Sequence, residues 1–209
     1  MDGLVGSPCS SRAGSRPLII SVGRLVRRKG VLEFVRDVLP RLLKQIPDAL
    51  FWAVGGDPKG SLIHKERLSD SIRAAIEAAG LQDHARLLGR ISDADLDAVY
   101  RRASLFVLPC LDLPHDIEGF GIVILEAALQ SVPSVATAVG GIPDAIDAPN
   151  AGLLVPPADP AAMADAIASL LRDPDRLAAM GAHGRQRALS AFTWSDVAAQ
   201  YAAALQSAL

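Results

Sequence analysis

The chain has 209 residues, of which 50% are hydrophobic and 21% charged, and its formal net charge is −2. These values suit a globular α/β protein with an ample core, and they argue against a disordered chain and against the broad basic surface that general nucleic-acid binding requires. Cys9 and Cys110 are far apart and lack metal-ligand spacing, so no disulfide framework or zinc site is implied and free thiols in a reducing cytoplasm are expected. The opening Met1 to Arg16 is rich in Gly and Ser and has no apolar core, which predicts a flexible lead-in over 1–16 rather than a signal peptide, ahead of one domain over 17–209. No later apolar run reaches membrane length without a charge or a proline.

In chain order, apolar strand-like runs fall near 18–23, 49–55, 85–89, 104–108, 133–136 and 152–155. Helical patterns separate them at about 30–45, 61–79, 93–102 and 121–130, and a short helix opens at Pro143. Beyond these the chain reads as Ala- and Leu-rich helix over 159–172, 174–191 and 194–207, punctuated at Asp173-Pro174 and at Thr193, a cap before Trp194. Such alternation predicts a Rossmann-like, doubly wound parallel sheet of six strands followed by C-terminal helices.

In an open α/β sheet, ligands bind outside the carboxyl ends of the strands. The loop after the first strand, Arg24-Leu-Val-Arg-Arg-Lys29-Gly30, is basic and glycine-flanked. It places Arg24 for a planar two-pronged contact and Lys29 for a point-charge contact with a diphosphate, while Arg27 and Arg28 read as solvated loop residues. Further on, Glu118-Gly-Phe-Gly-Ile-Val-Ile-Leu-Glu126 sets two carboxylates eight residues apart around the start of an apolar helix. The free amides of a helix beginning near Gly121 or Ile122 form an anion cradle, and glycines keep it open. A carboxylate repels phosphate, so Glu118 and Glu126 are expected to accept hydrogen bonds from hydroxyls on either side of it, as a nucleoside-diphosphate sugar would supply. On this window alone the alternative stays open that Glu118 caps the helix and Glu126 is an ordinary solvated residue.

Other signals carry less. Asp93, Asp95 and Asp97 have the spacing of an acidic metal motif, but positions two apart on a helix point to nearly opposite sides, so Ser92 or Asp93 is read as a cap and the rest as surface. His115 lies just upstream of Glu118 and can reach a ligand, whereas His64, His84 and His183 show no partner. The Gly-x-Gly-x-x-Gly fingerprint of a nicotinamide dehydrogenase is missing, and Gly55-Gly56 and Gly140-Gly141 do not replace it.

Taken in order, Ser21-Val-Gly-Arg-Leu25 with Lys29-Gly30, Val54-Gly55-Gly56, Leu88-Gly-Arg-Ile91, Leu105-Phe-Val-Leu-Pro109, the Glu118 to Glu126 segment, Gly140-Gly-Ile-Pro143 and Gly152-Leu-Leu-Val-Pro156 form a specific set. Across nearly all of 17–205 they resemble the retaining glycosyltransferases of the GT-B fold, family 4 (glycosyl transferases group 1). The resemblance implies that Glu118 contacts hydroxyls of the donor sugar, Glu126 the nucleotide ribose, Arg24 and Lys29 the diphosphate, the amides of Ile122 and Val123 a phosphate, and the main chain near Arg90 and Ile91 the base. It implies transfer with retention, no metal and no cofactor beyond the nucleotide-sugar substrate. There are two local departures: Ser131 stands where the family usually has Gly, and Gly55-Gly56-Asp57-Pro58 replaces a Gly-x-Gly. The larger one is that only the C-terminal, donor-binding half of a GT-B enzyme is matched. An N-terminal acceptor half, fused or as a partner subunit, is therefore the expected partner. Membrane contact, if any, is expected to be peripheral and through that half, and the chain alone is expected to be inactive. A phosphorylase-like or epimerase-like enzyme and a nonenzymatic nucleotide-sugar-binding module are the competing classes.

Overall fold

The structure, a computed structural model, describes residues 16–58 and 67–192, together with 198, 202, 205 and 206. The expected lead-in up to residue 15 with Cys9, the beginning of the helix expected over 61–79 with His64, and Thr193 with most of the last expected helix lie outside the described residues.

The strands β1 (Leu18–Val22), β4 (Leu105–Leu108) and β5 (Ser134–Thr137) are buried at every position. A parallel strand covered on both faces has no polar side to present, which is why these stretches are apolar without alternation. With β2 (Leu50–Val54), β3 (Ala85–Gly89) and β6 (Gly152–Val155) they form one six-stranded sheet in the order β3-β2-β1-β4-β5-β6, and every pairing is parallel. Ile19 of β1 is in register with Phe51 on one side and Leu105 on the other. The expected doubly wound α/β fold is present, and all six strands differ from their expected bounds by one residue at most at either end.

Helices cover both faces. On one side lie α1 (Val31–Glu33), a π-helical stretch Phe34–Val38, α2 (Leu39–Gln45), α3 (Leu68–Ala78) and α7 (Pro160–Leu171), which bury Phe34, Leu42, Ile72 and Ile167. On the other lie α4 (Asp93–Arg102), α5 (Ile122–Leu129) and α6 (Ile142–Ala145), which bury Tyr100, Ile124 and Ile142. The last helix, α8 (Pro174–Ala191), packs on α5 and α7. The uninterrupted helix expected over 30–45 contains the π turn because Pro40 has no N–H for the carbonyl of Arg36, and the amide of Leu39 bonds instead to Phe34, five residues back.

Three helix starts follow one rule. Ser92 accepts from the amide of Asp95 at 3.2 Å, Asp159 from Ala162 at 2.9 Å and Asp173 from Arg176 at 3.0 Å. The two aspartates are each followed by a proline in the first turn, where the missing N–H costs nothing. The start of α5 has no side-chain cap, and it lies at the point where the strand order reverses between β1 and β4. There the carboxyl ends of two strands whose connections diverge open a crevice.

Candidate functional site

The loop after β1 is fastened to the loop after β4. A Cβ on Gly30, whose φ is 65°, would come within 1.9 Å of the carbonyl oxygen of Pro109, so only glycine allows this approach. Two residues earlier the carbonyl of Arg28 accepts from the amide of Leu111 at 2.8 Å. Residues some eighty apart in sequence are thereby brought against each other, and their charges meet.

Lys29 Nζ lies 3.0 Å from Glu118 Oε2, and Arg28 Nε reaches the same oxygen at 3.1 Å. Arg28 also donates through a second nitrogen to Asp116 Oδ1 at 3.2 Å. Lys29 and Glu118 have side-chain exposures of only 10% and 9%, so these charges sit in a poorly solvated setting where an unmatched ion is costly. Within the cluster the two cations Arg28 and Lys29 face the two carboxylates Asp116 and Glu118, so its charges balance, while Arg24 lines a small cavity with Lys29 at the end of β1. The side chain of Arg24 is exposed and makes no hydrogen bond among the described residues, so it is free to swing. Reading Arg28 as a merely solvated loop residue is corrected here, because its guanidinium ties the two carboxylates of the β4 loop together. The thiol of Cys110, buried 4.0 Å from the same Glu118 oxygen, is pushed up to about 12, first by burial, so it stays protonated.

Glu118 is held from its other side by Gly140 and Gly141. A Cβ on Gly140 would fall 2.1 Å from the carbonyl oxygen of Glu118, a Cβ on Gly141 would fall 2.3 Å from that of Gly119, and the amide of Gly141 donates to that Gly119 oxygen at 2.8 Å. This glycine pair, too weak as a nucleotide fingerprint, therefore fixes the backbone on which Glu118 sits. Gly121 is buried and adopts the left-handed conformation as the N-cap of α5. The amides of Ile122 and Val123 behind it have no backbone acceptor among the described residues, which leaves the positive end of the helix available to an anion. Ile122 itself is 67% exposed, an apolar side chain left in the open at the crevice.

Glu126 lies one turn into α5, half-buried, and its Oε2 accepts from the phenolic hydroxyl of Tyr100 at 3.0 Å. Burial first and the carboxylate second raise the phenol, so it remains a donor. Past β3, Arg90 is exposed and lies along Gly56, where a Cβ would meet its side chain at 3.4 Å, while Ile91 packs on the second apolar cluster. The structure thus brings Lys29, Glu118 and the start of α5 together, sets Arg24 in the wall of a small cavity that Lys29 also lines, and sets Glu126 along α5; Arg90 and Ile91 stand on the loop that borders the end of β2.

The remaining expectations divide. His115 is exposed, has a φ of 66° and makes no hydrogen bond among the described residues. Two histidines read as partnerless have partners: a nitrogen of His84 lies 3.0 Å from the carbonyl of Ala49 and 3.1 Å from Arg16, and His183 lies 2.7 Å from Asp147. Asp95 serves the Ser92 cap, and Asp97 pairs with Arg101 and accepts from Gln130 at 2.6 Å. Residues that sequence reasoning missed are Arg28, Asp116, Tyr100 and the Gly140-Gly141 clamp. Their local signal was slight: an arginine beside a lysine, an acid two positions before another, and a tyrosine with helical spacing.

The model of one protein family, described as glycosyl transferases group 1, matches residues 10–187. A GDP-mannose-dependent alpha-(1-6)-phosphatidylinositol monomannoside mannosyltransferase from Mycobacterium tuberculosis is 34% identical over 193 residues, which is 91% of this chain and 48% of that enzyme. Among solved structures, sucrose-phosphate synthase from Thermosynechococcus elongatus superposes with a TM-score of 0.75 at 31% identity, over 92% of this chain and 45% of that one. The C-terminal domain of a glycosyl transferase group 1 family protein from Francisella tularensis does so with a TM-score of 0.67 at 25% identity, over 82% of this chain and 84% of that one. The chain spans about half the length of the curated relatives it matches.

Proposed function

This chain belongs to the glycosyl transferases group 1 family, and we propose that it is the donor-binding half of an enzyme that transfers a sugar from a nucleoside-diphosphate sugar to an acceptor, with retention and without a metal. The observation that carries the proposal is the convergence of Lys29 and Glu118, 3.0 Å apart, beside the uncapped start of α5 at the switch point of the sheet. In this reading Arg24 and Lys29 hold the diphosphate, and the amides of Ile122 and Val123 behind Gly121 take a phosphate oxygen. Glu126 accepts from the ribose, Glu118 accepts from the donor sugar, and the main chain at Arg90 and Ile91 borders the base. The name of the mycobacterial relative makes GDP-mannose the first donor to try.

During transfer the bond between the anomeric carbon and the diphosphate oxygen breaks and its electron pair leaves with the diphosphate, while an acceptor hydroxyl oxygen bonds to the same face of the anomeric carbon and gives its proton to the departing diphosphate. Arg24, Lys29 and the helix dipole meet the negative charge as it develops, which is the service a metal would otherwise perform. Glu118 has an oxygen committed to Arg28 and Lys29, so its part is to fix the sugar ring, not to act as a free base. The acceptor groove and the opposite wall of the cleft come from an N-terminal half, a view supported by the length of the relatives. The isolated chain then binds donor and transfers nothing. The buried free thiol of Cys110 fits a reducing compartment, and we place the domain in the cytoplasm.

Calorimetric titration with GDP and GDP-mannose tests the division of labour. Glu126→Ala is expected to weaken both ligands by about 1 to 2 kcal/mol, and Glu118→Ala, at a temperature where it is folded, to weaken only the sugar-bearing one by a similar amount. Equal losses for the two ligands in Glu118→Ala would refute the assignment.

A further inference from the structure

We propose that Tyr100 is a positioning residue for the nucleotide ribose, holding the Glu126 carboxylate in the orientation that receives ribose hydroxyls. The proposal rests on the ribose role given to Glu126 above. Tyr100 stands on α4, which takes no other part in the site, and donates to Oε2 of Glu126 at 3.0 Å. Its ring is enclosed: the residue is 3% exposed, belongs to the apolar cluster of Phe106 and Ile124, and has its centroid 6.4 Å from that of Phe106. A ring so confined cannot follow a carboxylate that rotates, so the carboxylate is the partner that is fixed. With Oε2 anchored, the oxygen left to accept from a ribose is Oε1, which has no partner among the described residues. The phenol keeps its proton across the physiological range, since burial and the neighbouring carboxylate both raise it.

The competing account is that this bond merely ties α4 to α5. A second tie between the same helices supplies the control: Gln130 donates to Asp97 at 2.6 Å, three residues before Tyr100 on one helix and four after Glu126 on the other, without touching Glu126. Tyr100→Phe keeps the ring and removes only the donor. Dissociation constants for GDP and for 2′,3′-dideoxy-GDP, measured by calorimetry on the wild-type chain, Tyr100→Phe, Glu126→Ala and Gln130→Ala, separate the accounts.

Tyr100→Phe is expected to weaken GDP about fivefold to tenfold while changing the dideoxy ligand less than about twofold. Gln130→Ala is expected to leave the preference for ribose intact. Equal weakening of both ligands by Tyr100→Phe would reduce the residue to architecture and overturn the inference. Unchanged GDP binding in Tyr100→Phe, alongside a lost ribose preference in Glu126→Ala, would overturn it while leaving the Glu126 assignment standing. An intact ribose preference in Glu126→Ala would remove that assignment and the inference with it.

Discussion

Asp95 and Asp97 on α4 share with Asp116 and Glu118, on the loop after β4, a spacing of two residues, yet the two pairs meet different physics. On the helix the pair is split between a cap and a surface ion pair, and the Asp97 side chain is 42% exposed. On the loop both carboxylates converge on Arg28, Lys29 closes on the same Glu118 oxygen, and Glu118 is 9% exposed. Acidic spacing therefore does not make a site. What distinguishes the loop is cations delivered from a distant strand end to a place that water scarcely reaches, where charge complementarity has force.

The largest expected effect breaks that contrast directly. Glu118→Ala leaves Arg28 and Lys29 poorly solvated without their shared partner, and removing one member of a buried pair costs about 3 kcal/mol of folding stability. Asp97→Ala, on the exposed helix, is expected to cost less than about 1 kcal/mol. Urea unfolding of both variants checks this; costs of equal size would show that burial of the loop cluster carries no energetic weight.

Binding sharpens the comparison within the cluster. Arg24 is exposed and unpaired among the described residues, and Lys29 is nearly buried and paired, so they are expected to respond differently to truncation. Each change to Ala should weaken a nucleoside diphosphate by about 1.5 to 3 kcal/mol, with a nucleoside lacking phosphates barely affected. Only Lys29→Ala should also lower stability, because it strips one cation from Glu118. Calorimetric titration paired with urea unfolding reads both quantities, and diphosphate binding that survives either change would remove that residue's proposed contact with the diphosphate.

Much of the fold was legible because its central strands are covered on both faces: Leu18–Val22 and Leu105–Leu108 have no reason to carry a polar residue on one side. That the loops at the carboxyl ends of the strands would carry the candidate site followed from the alternation, and with it the interest of Arg24, Lys29 and the start of α5; the strand order that puts a switch point between β1 and β4 did not. Illegible were the contacts between elements far apart in sequence. Arg28 meets Asp116 across 88 positions, and Tyr100 meets Glu126 across 26, so neither pairing leaves a periodic trace. The π turn differs, because its cause is local: Pro40 lacks the N–H that the helical ladder needs, while the apolar periodicity over 30–45 runs through it without a break.

The smallest expected effect concerns the end of α5, opposite the start proposed to take a phosphate. Ser131, where the resembled family usually has Gly, adopts a φ of 56°, a conformation that costs an L-residue about 1 to 2 kcal/mol relative to glycine. The strain is retained because Ser131 is packed: a Cβ on Gly181 of α8 would come within 2.2 Å of its carbonyl oxygen, so the backbone cannot relax away. Ser131→Gly removes the strain but enlarges the freedom of the unfolded chain, which returns roughly 0.5 to 1 kcal/mol. The expected net gain is about 0.5 kcal/mol, read as a small rise in the urea midpoint at constant slope. Diphosphate binding should be unchanged, since the start of α5 is fixed independently by Gly121 and by the Gly140-Gly141 clamp. A loss of stability would mean that the serine makes an interaction worth more than its strain, and a change in binding would show that the two ends of the helix are coupled.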